Sequence, residues 1–314
     1  MSNHLIVSPS PHIKDGASTS SIMLDVIIAM LPAAVMSVVI FGLKALVLIC
    51  VCAASSVFFE YIFRSITHRT NTITDLSAVV TGMLVAFNVP ADLPIWMAVF
   101  GCLVAIVVVK QLFGGIGENF ANPAIVARIV LLISFSTRMT AWPLPNAYLN
   151  VAEVTSSATP LAILTTGGAV ADVPPLMNFL LGVRGGCLGE TCSLALLIGG
   201  IYLIARKVIT PTIPLAVLGT AVVMSFVTGL DPVYQLLSGG MLLGAFFMAT
   251  DYVTSPTREA GKLIYGIGIG VITMLIRAYG SYPEGMSFAI LLMNIVTPHI
   301  DNMIKKMPFG GVEQ

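Results

Sequence analysis

Four hydroxyl side chains stand almost in a row at Thr155, Ser156, Ser157 and Thr159, with Ala158 between the last two and Pro160 closing the patch. A threonine hydroxyl is a poor nucleophile, so self-reaction is not the chemistry on offer. Esterification by a separate enzyme is. A phosphodiester to a nucleotide-type cofactor such as flavin mononucleotide would tether a redox group and leave its ring chemistry unchanged. The residues alone also allow a plain turn, in which Ser156 or Ser157 caps a short helix over 161–166 and Thr-Pro marks its start.

Other polar residues stand out against an apolar background. Glu190 and Thr191 lie in "GGCLGETC" (185–192), at the start of an apolar run. A glycine-rich turn with an acidic helix start is one reading, since a carboxylate there suits the helix dipole. Arg128 lies six residues into another apolar run, where it either snorkels to the interface or meets Glu118 or the polar group of a cofactor. Asp75 and Asp251 flank two short apolar runs, as solvated loop carboxylates or as part of a cation path. None of Cys50, Cys52, Cys102, Cys187 and Cys192 forms the CxxC pairs that hold zinc or iron–sulfur clusters. Cys187 and Cys192 are close enough in sequence to pair as a disulfide. The 16 methionines suit packing better than ligation, and Trp96 and Trp142 suit interfacial anchoring.

The elements that must carry these residues are membrane spans. Of 314 residues, 57% are hydrophobic and 10% charged, where a soluble domain carries roughly 25% charged residues. The net charge is zero, so no nucleic-acid footprint is present. Apolar runs long enough to cross a bilayer fall at 22–41, 45–63, 95–113, 190–205, 212–228, 263–278 and 286–302, and shorter ones at 76–88, 123–136 and 238–250. The fold class expected is an all-α polytopic membrane protein of about ten transmembrane helices. An even number of spans puts both termini on one side. With that side cytoplasmic, Lys14, Arg64, Arg69, Lys110, Arg206, Lys207, Arg258, Lys262, Lys305 and Lys306 face inward. Lys44, Arg138, Arg184 and Arg277 face outward, and Arg128 falls inside a span. This bias follows the positive-inside rule and sets the Thr159 loop outside. The polar first twenty residues are not a cleaved signal peptide.

"GMLVAF" (82–87) is echoed by "GMLLGAF" (240–246), and "GENF" (117–120) by "EGMSF" (284–288). The organisation expected is a cytoplasmic segment 1–21, a first repeat 22–137, an external loop 138–189, a second repeat 190–303 and a cytoplasmic tail 304–314. Each half has an odd number of spans, so the two are inverted. Short third spans at matching positions point to a midplane site.

Five runs in order give the chain a likeness: "SPSPHI" with "STSSIMLDVIIAMLP", then "SSATPLA", "GGCLGETC", "FFMATDYVTSP" and "YPEGMSFAILLMN". It resembles the RnfD/NqrB family, formed by D subunits of Rnf electron-transport complexes and, more distantly, B subunits of sodium-pumping NADH:quinone oxidoreductases. The resemblance implies a covalent FMN on Thr159, attached outside the cytoplasm by a flavin transferase. The family pattern maps onto Glu153, Ser156, Ser157, Ala158 and Thr159, with Glu153 in place of the usual aspartate and Ser157 in place of a frequent glycine. It also implies a non-covalent riboflavin in the membrane part; beside the turn reading of "GGCLGETC" stands the functional one, in which its backbone amides and hydroxyls, around Glu190 and Thr191, approach the flavin.

The partners implied are Rnf subunits of the A, B, C, E and G types together with membrane lipid. The function implied is electron relay in a ferredoxin:NAD+ oxidoreductase of the cell inner membrane, coupled to Na+ or H+ transport. No strand–glycine-loop–helix motif for NAD is present. Two alternatives stand beside it: the quinone-reducing relative, and a cofactor-free solute channel on the same architecture.

Overall fold

The computed structural model describes residues 18–143, 175–280 and 284–304. Thr155, Ser156, Ser157, Ala158 and Thr159, the expected helix over 161–166 and the two termini lie outside the described residues.

Among the described residues the fold is helical, with no strand. Helix α1 (Thr19–Phe41) opens on a capping box in which Ser18 and Ser21 satisfy each other's amides. Only Gly42 separates it from α2 (Leu43–Ile66), and its φ of 73° permits this hairpin. Helix α3 (Ser77–Phe87) follows, then α4 (Ile95–Leu103), which runs on as a π-helical stretch Val104–Gln111, then α5 (Pro123–Ser134). Asn122 caps α5 through the amides of Ala124 and Ile125, and Pro123 takes the first position, where no amide is needed.

The second half contains a short α6 (Leu176–Leu181), α7 (Ser193–Ala205), α8 (Thr212–Thr228) and α9 (Pro232–Leu237). Next comes α10 (Met241–Leu243), continued as a π-helical stretch Gly244–Met248, and then α11 (Glu259–Tyr279) and α12 (Met286–Met303).

Among the described residues three helices, α1, α2 and α11, are long and apolar enough to cross a membrane, and α3, Ile95–Gln111, α5, α7 and α8 are shorter apolar helices. Helix α3 is roughly 16 Å long at ~1.5 Å per residue, about half the ~30 Å hydrocarbon core. The expected span at 238–250 becomes helical only at Met241, as α10 and its π-helical continuation, and left-handed Gly239 and Gly240 separate it from the short α9 that precedes it. The expected span at 190–205 starts only at Ser193, because 184–192 makes a tight non-helical excursion.

Burial follows the bilayer rather than water. Large apolar side chains such as Val39, Val223, Phe226 and Val227 face outward, while Glu60, Lys110, Arg128 and Arg277 are buried. Ionisable groups inside a bundle are costly, so they pair there. Helix α1 packs on α7 and α5 on α12.

Glycines bring backbones close where helices cross. A Cβ on Gly82 would stand 2.5 Å from the Cys52 carbonyl and 2.8 Å from Ala53 Cα on α2. Gly82→Val therefore forces α3 away from α2. The expected cost is about 1–3 kcal/mol, read as a lowered thermal unfolding midpoint of the detergent-solubilised chain.

Candidate functional site

Two polar features flank the short helices. The first is a cluster after the end of α3 and before the start of α10. Residues 185–192 reach it as a loop whose Leu188 amide donates to Val89 O (3.1 Å) and whose Gly189 amide donates to Phe87 O (3.0 Å). Ser37 Oγ donates to Leu188 O at 2.6 Å. Glycine at 189 is required by the approach itself, since an added Cβ would land on the Phe87 side chain. The loop thus supplies hydrogen-bond partners for the backbone where α3 stops.

Arg128 lies at the centre. It is 5% exposed and belongs to α5. It donates to Asn88 Oδ1 at 2.8 Å and forms an ion pair with Glu284 of the connection before α12. Its partner is therefore Glu284, not Glu118, and it does not snorkel. Glu190 is also buried, and its Oε1 accepts the Cys187 amide at 2.9 Å. The carboxylate turns back into its own loop rather than capping α7, whose N-cap is Cys192 without a side-chain bond. Thr191 is buried; its carbonyl accepts Arg184 Nε at 3.2 Å.

Two further arginines tie the broken backbone. Arg184 also donates to Glu190 O at 2.5 Å and stacks over Phe179 at 4.8 Å. Arg277 donates to the carbonyls of Gln235, Ser238 and Gly239, where the chain breaks between α9 and α10. Burial pushes the Cys187 thiol well up, lowers Arg184 to about 10 and raises Glu284 to about 7, the last against the pull of Arg128. Cys187 and Cys192 are both free thiols, donating to Asn88 O and Leu180 O respectively, so the disulfide their spacing allows is not formed.

The second feature is a cavity of about 370 Å³ beside the N-terminal half of α3 and the end of α10. Its walls combine apolar Leu84, Phe246 and Phe247 with polar Thr81, Asn122 and Lys110. Lys110 is not at a solvated helix end, as charge counting expects. It is buried and bonded to Glu60 Oε2 at 2.8 Å and Ser77 Oγ at 2.6 Å. Arg64, also counted as a cytoplasmic charge, is buried beside the same carboxylate at 3.7 Å. Asp251 lines the cavity, yet its oxygens bond Thr254 and the Val253 amide in its own turn, and Asp75 bonds the Ser77 amide and hydroxyl. Met248 packs in the interior, with Sδ 3.7 Å from Asn88 Nδ2.

The fold thus brings together Arg128, Glu190 and Thr191, three residues singled out by their polar character in apolar runs. It adds Asn88, Arg184, Cys187, Arg277 and Glu284. Asn88 and Glu284 carried a signal, since both sit at the edges of the echoed runs "GMLVAF" and "EGMSF". Arg184 and Arg277 were hidden by being countable as outer-loop charges.

The Arg128–Glu284 pair is buried, and removing one partner strands the other. Arg128→Leu is expected to destabilise the chain by about 3–5 kcal/mol. The double variant Arg128→Leu/Glu284→Leu recovers a large part of that, as read by denaturant unfolding of the solubilised chain.

The chain matches known proteins along nearly its whole length. The profile of the NQR2, RnfD, RnfE family covers residues 6–310. Among curated proteins, the chain is 47% identical to the D subunit of the Na+-translocating ferredoxin:NAD+ oxidoreductase complex of Acetobacterium woodii, over 98% of this chain and 96% of that protein. It is 39% identical to the D subunit of the proton-translocating ferredoxin:NAD+ oxidoreductase complex of Clostridium ljungdahlii, over 98% and 97%. It is 37% identical to the D subunit of an ion-translocating oxidoreductase complex of Stutzerimonas stutzeri, over 94% and 93%. With a family profile spanning almost every residue and relatives well above a third identical at full length, the chain belongs to the NQR2, RnfD, RnfE family.

Proposed function

We propose that this chain is the D-type membrane subunit of an ion-translocating ferredoxin:NAD+ oxidoreductase, and that it relays electrons through an FMN esterified to Thr159. The observation that carries the reading is end-to-end likeness to subunits of that name, at 47% identity to the Acetobacterium woodii protein. "SSATPLA" supplies the acceptor hydroxyl on the stretch between the two halves. On this reading the chain works with the other Rnf subunits in the cell inner membrane, and a flavin transferase matures it. Both termini are cytoplasmic and Thr159 is external. Ten spans in two inverted repeats are supported by the pairing of α1 with α7 and α5 with α12, and by short helices in both halves.

The cavity fits a second, non-covalent flavin. A ring system needs apolar faces and a few convergent polar groups at its edge; Leu84, Phe246 and Phe247 provide the first, Thr81, Asn122 and Lys110 the second. Bound flavins supply one-electron carrier chemistry to the chain. The protein's own contribution is to hold the rings, exclude water and place a buried cation, Lys110, on the cavity wall. Moving one charge across 100 mV costs about 2.3 kcal/mol, and the redox steps of the complex must supply at least that per ion.

Co-expression with the flavin transferase is expected to yield a chain whose intact mass exceeds the bare polypeptide by one FMN less water. Its band fluoresces in a denaturing gel, and Thr159→Ala abolishes both signals. A bare mass for the wild-type chain rejects the relay reading; a fluorescent Thr159→Ala band moves the acceptor to a neighbouring hydroxyl. Quinone reduction by the assembled complex would instead favour the NADH:quinone relative.

Acid extraction is expected to release riboflavin from the wild-type chain. Leu84→Trp, which fills the cavity, lowers that yield at least tenfold while the Thr159-linked fluorescence persists.

A further inference from the structure

Two carboxylate oxygens inside the polar cluster accept no hydrogen bond from any described residue: Oε2 of Glu190 and Oε1 of Glu284. The two side chains come from distant parts of the chain, yet both carboxylates and Cys187 Sγ offer atoms within 4.8 Å of one another. Glu190 is 4% exposed. A buried carboxylate oxygen without a donor is expensive, and two carboxylates at such a spacing do not both ionise readily.

The surrounding charges sharpen the point. Arg277, from α11, directs its two terminal nitrogens to the carbonyls of Gln235, Ser238 and Gly239 and to the Gln235 side chain, and its Nε has no partner among the described residues. Arg184, from the connection between α6 and α7, spends its donors on the carbonyls of Thr191 and Glu190. Both cations are solvated by backbone, and neither forms an ion pair with a carboxylate among the described residues. That leaves Arg128, from α5, and its ion pair is with Glu284 alone. The other facing groups are uncharged: Asn88 after α3, the Cys187 thiol, and the backbone of Gly240 before α10, at which a Cβ would stand 3.0 Å from Glu190 Oε2. Glu190 thus feels Arg128, Arg184 and Arg277 only through space, without an ion pair, and its Oε2 and Glu284 Oε1 remain without a donor.

We propose that Glu190 and Glu284 hold one exchangeable proton between them, so that the cluster presents a single negative charge to Arg128. A proton needs only the two free oxygens. A hard metal cation takes many oxygen ligands, and the third group here is a thiol that already donates to Asn88 O at 3.4 Å. The raised position of Glu284 agrees, with burial as its first cause and Glu190 adding to it. The proton is held below about pH 7 and leaves as the pH rises through that value. The dyad lies where α3 ends, where α10 begins and where the 184–192 loop inserts. Its charge state therefore acts on the junction of the two halves.

The test is difference infrared spectroscopy of the full-length chain in lipid, stepped in pH. The expected result is a protonated-carboxyl C=O band at neutral pH that disappears at alkaline pH with one proton released per chain. The band is absent in both Glu190→Gln and Glu284→Gln, and Asp251→Asn, which removes a buried carboxyl at the cavity, leaves it intact. Absence of the band in the wild-type chain at neutral pH overturns the proposal, as does its survival in both glutamine variants or its loss in Asp251→Asn. Loss of the wild-type band on adding Na+ at fixed pH would make this an alkali-cation site and equally overturns it. Should either glutamine variant fail to fold, the wild-type titration, the Na+ addition and Asp251→Asn still decide.

Discussion

Inside a bilayer a broken helix has no water to satisfy its exposed amides and carbonyls. This chain breaks its backbone at three places that meet: after Phe87, across 184–192 and between Leu237 and Met241. Each break is answered from within the protein. Loop amides answer the carbonyls of Phe87 and Val89, Arg184 answers those of Glu190 and Thr191, and Arg277 answers those of Gln235, Ser238 and Gly239. Arg128 then joins the end of α3 to the connection before α12 through Asn88 and Glu284. The buried charges exist because the backbone is interrupted, and the interruptions are tolerable because the charges are there.

The same interruptions create the polar cluster and the cavity. A full-length helix in place of α3 or α10 would fill the space that the cavity and the loop occupy. Helix α3 presents Ser77, Thr81 and Leu84 to the cavity and its last turn to the polar cluster; α10 runs the other way, starting near the cluster and ending with Phe246 and Phe247 on the cavity wall. The two features are therefore linked by two short rods of opposite direction. Substitution at the cluster acts on the ends of both rods, and occupancy of the cavity acts on their other ends.

The relatives place this scaffold in a comparative light. Proteins at 47% and 39% identity carry names that specify Na+ in one case and protons in the other. The chain is thus similar to subunits of complexes named for different coupling ions. Of the acidic residues flanking the short helices, Asp75 caps a turn and Asp251 bonds within its own loop.

The amino-acid order by itself determined what depends on local composition. Apolar runs gave the helices, glycine and proline placement gave their ends at Gly42 and Pro123, and the echoed "GMLVAF" and "GMLLGAF" marked both short helices. Family likeness singled out Thr159 from four neighbouring hydroxyls, which spacing could not do. Arg128, Glu190 and Thr191 were recognisable as polar residues in apolar surroundings. Their partners were not. Glu284 lies 156 residues from Arg128, and Asn88 lies 99 residues from Cys187. Arg64, Lys110, Arg184 and Arg277 look like loop or helix-end charges in one dimension and are buried in three. Only tertiary structure decided these, because a charge in a low-dielectric interior is settled by whichever group reaches it through space, and sequence distance carries no information about that reach.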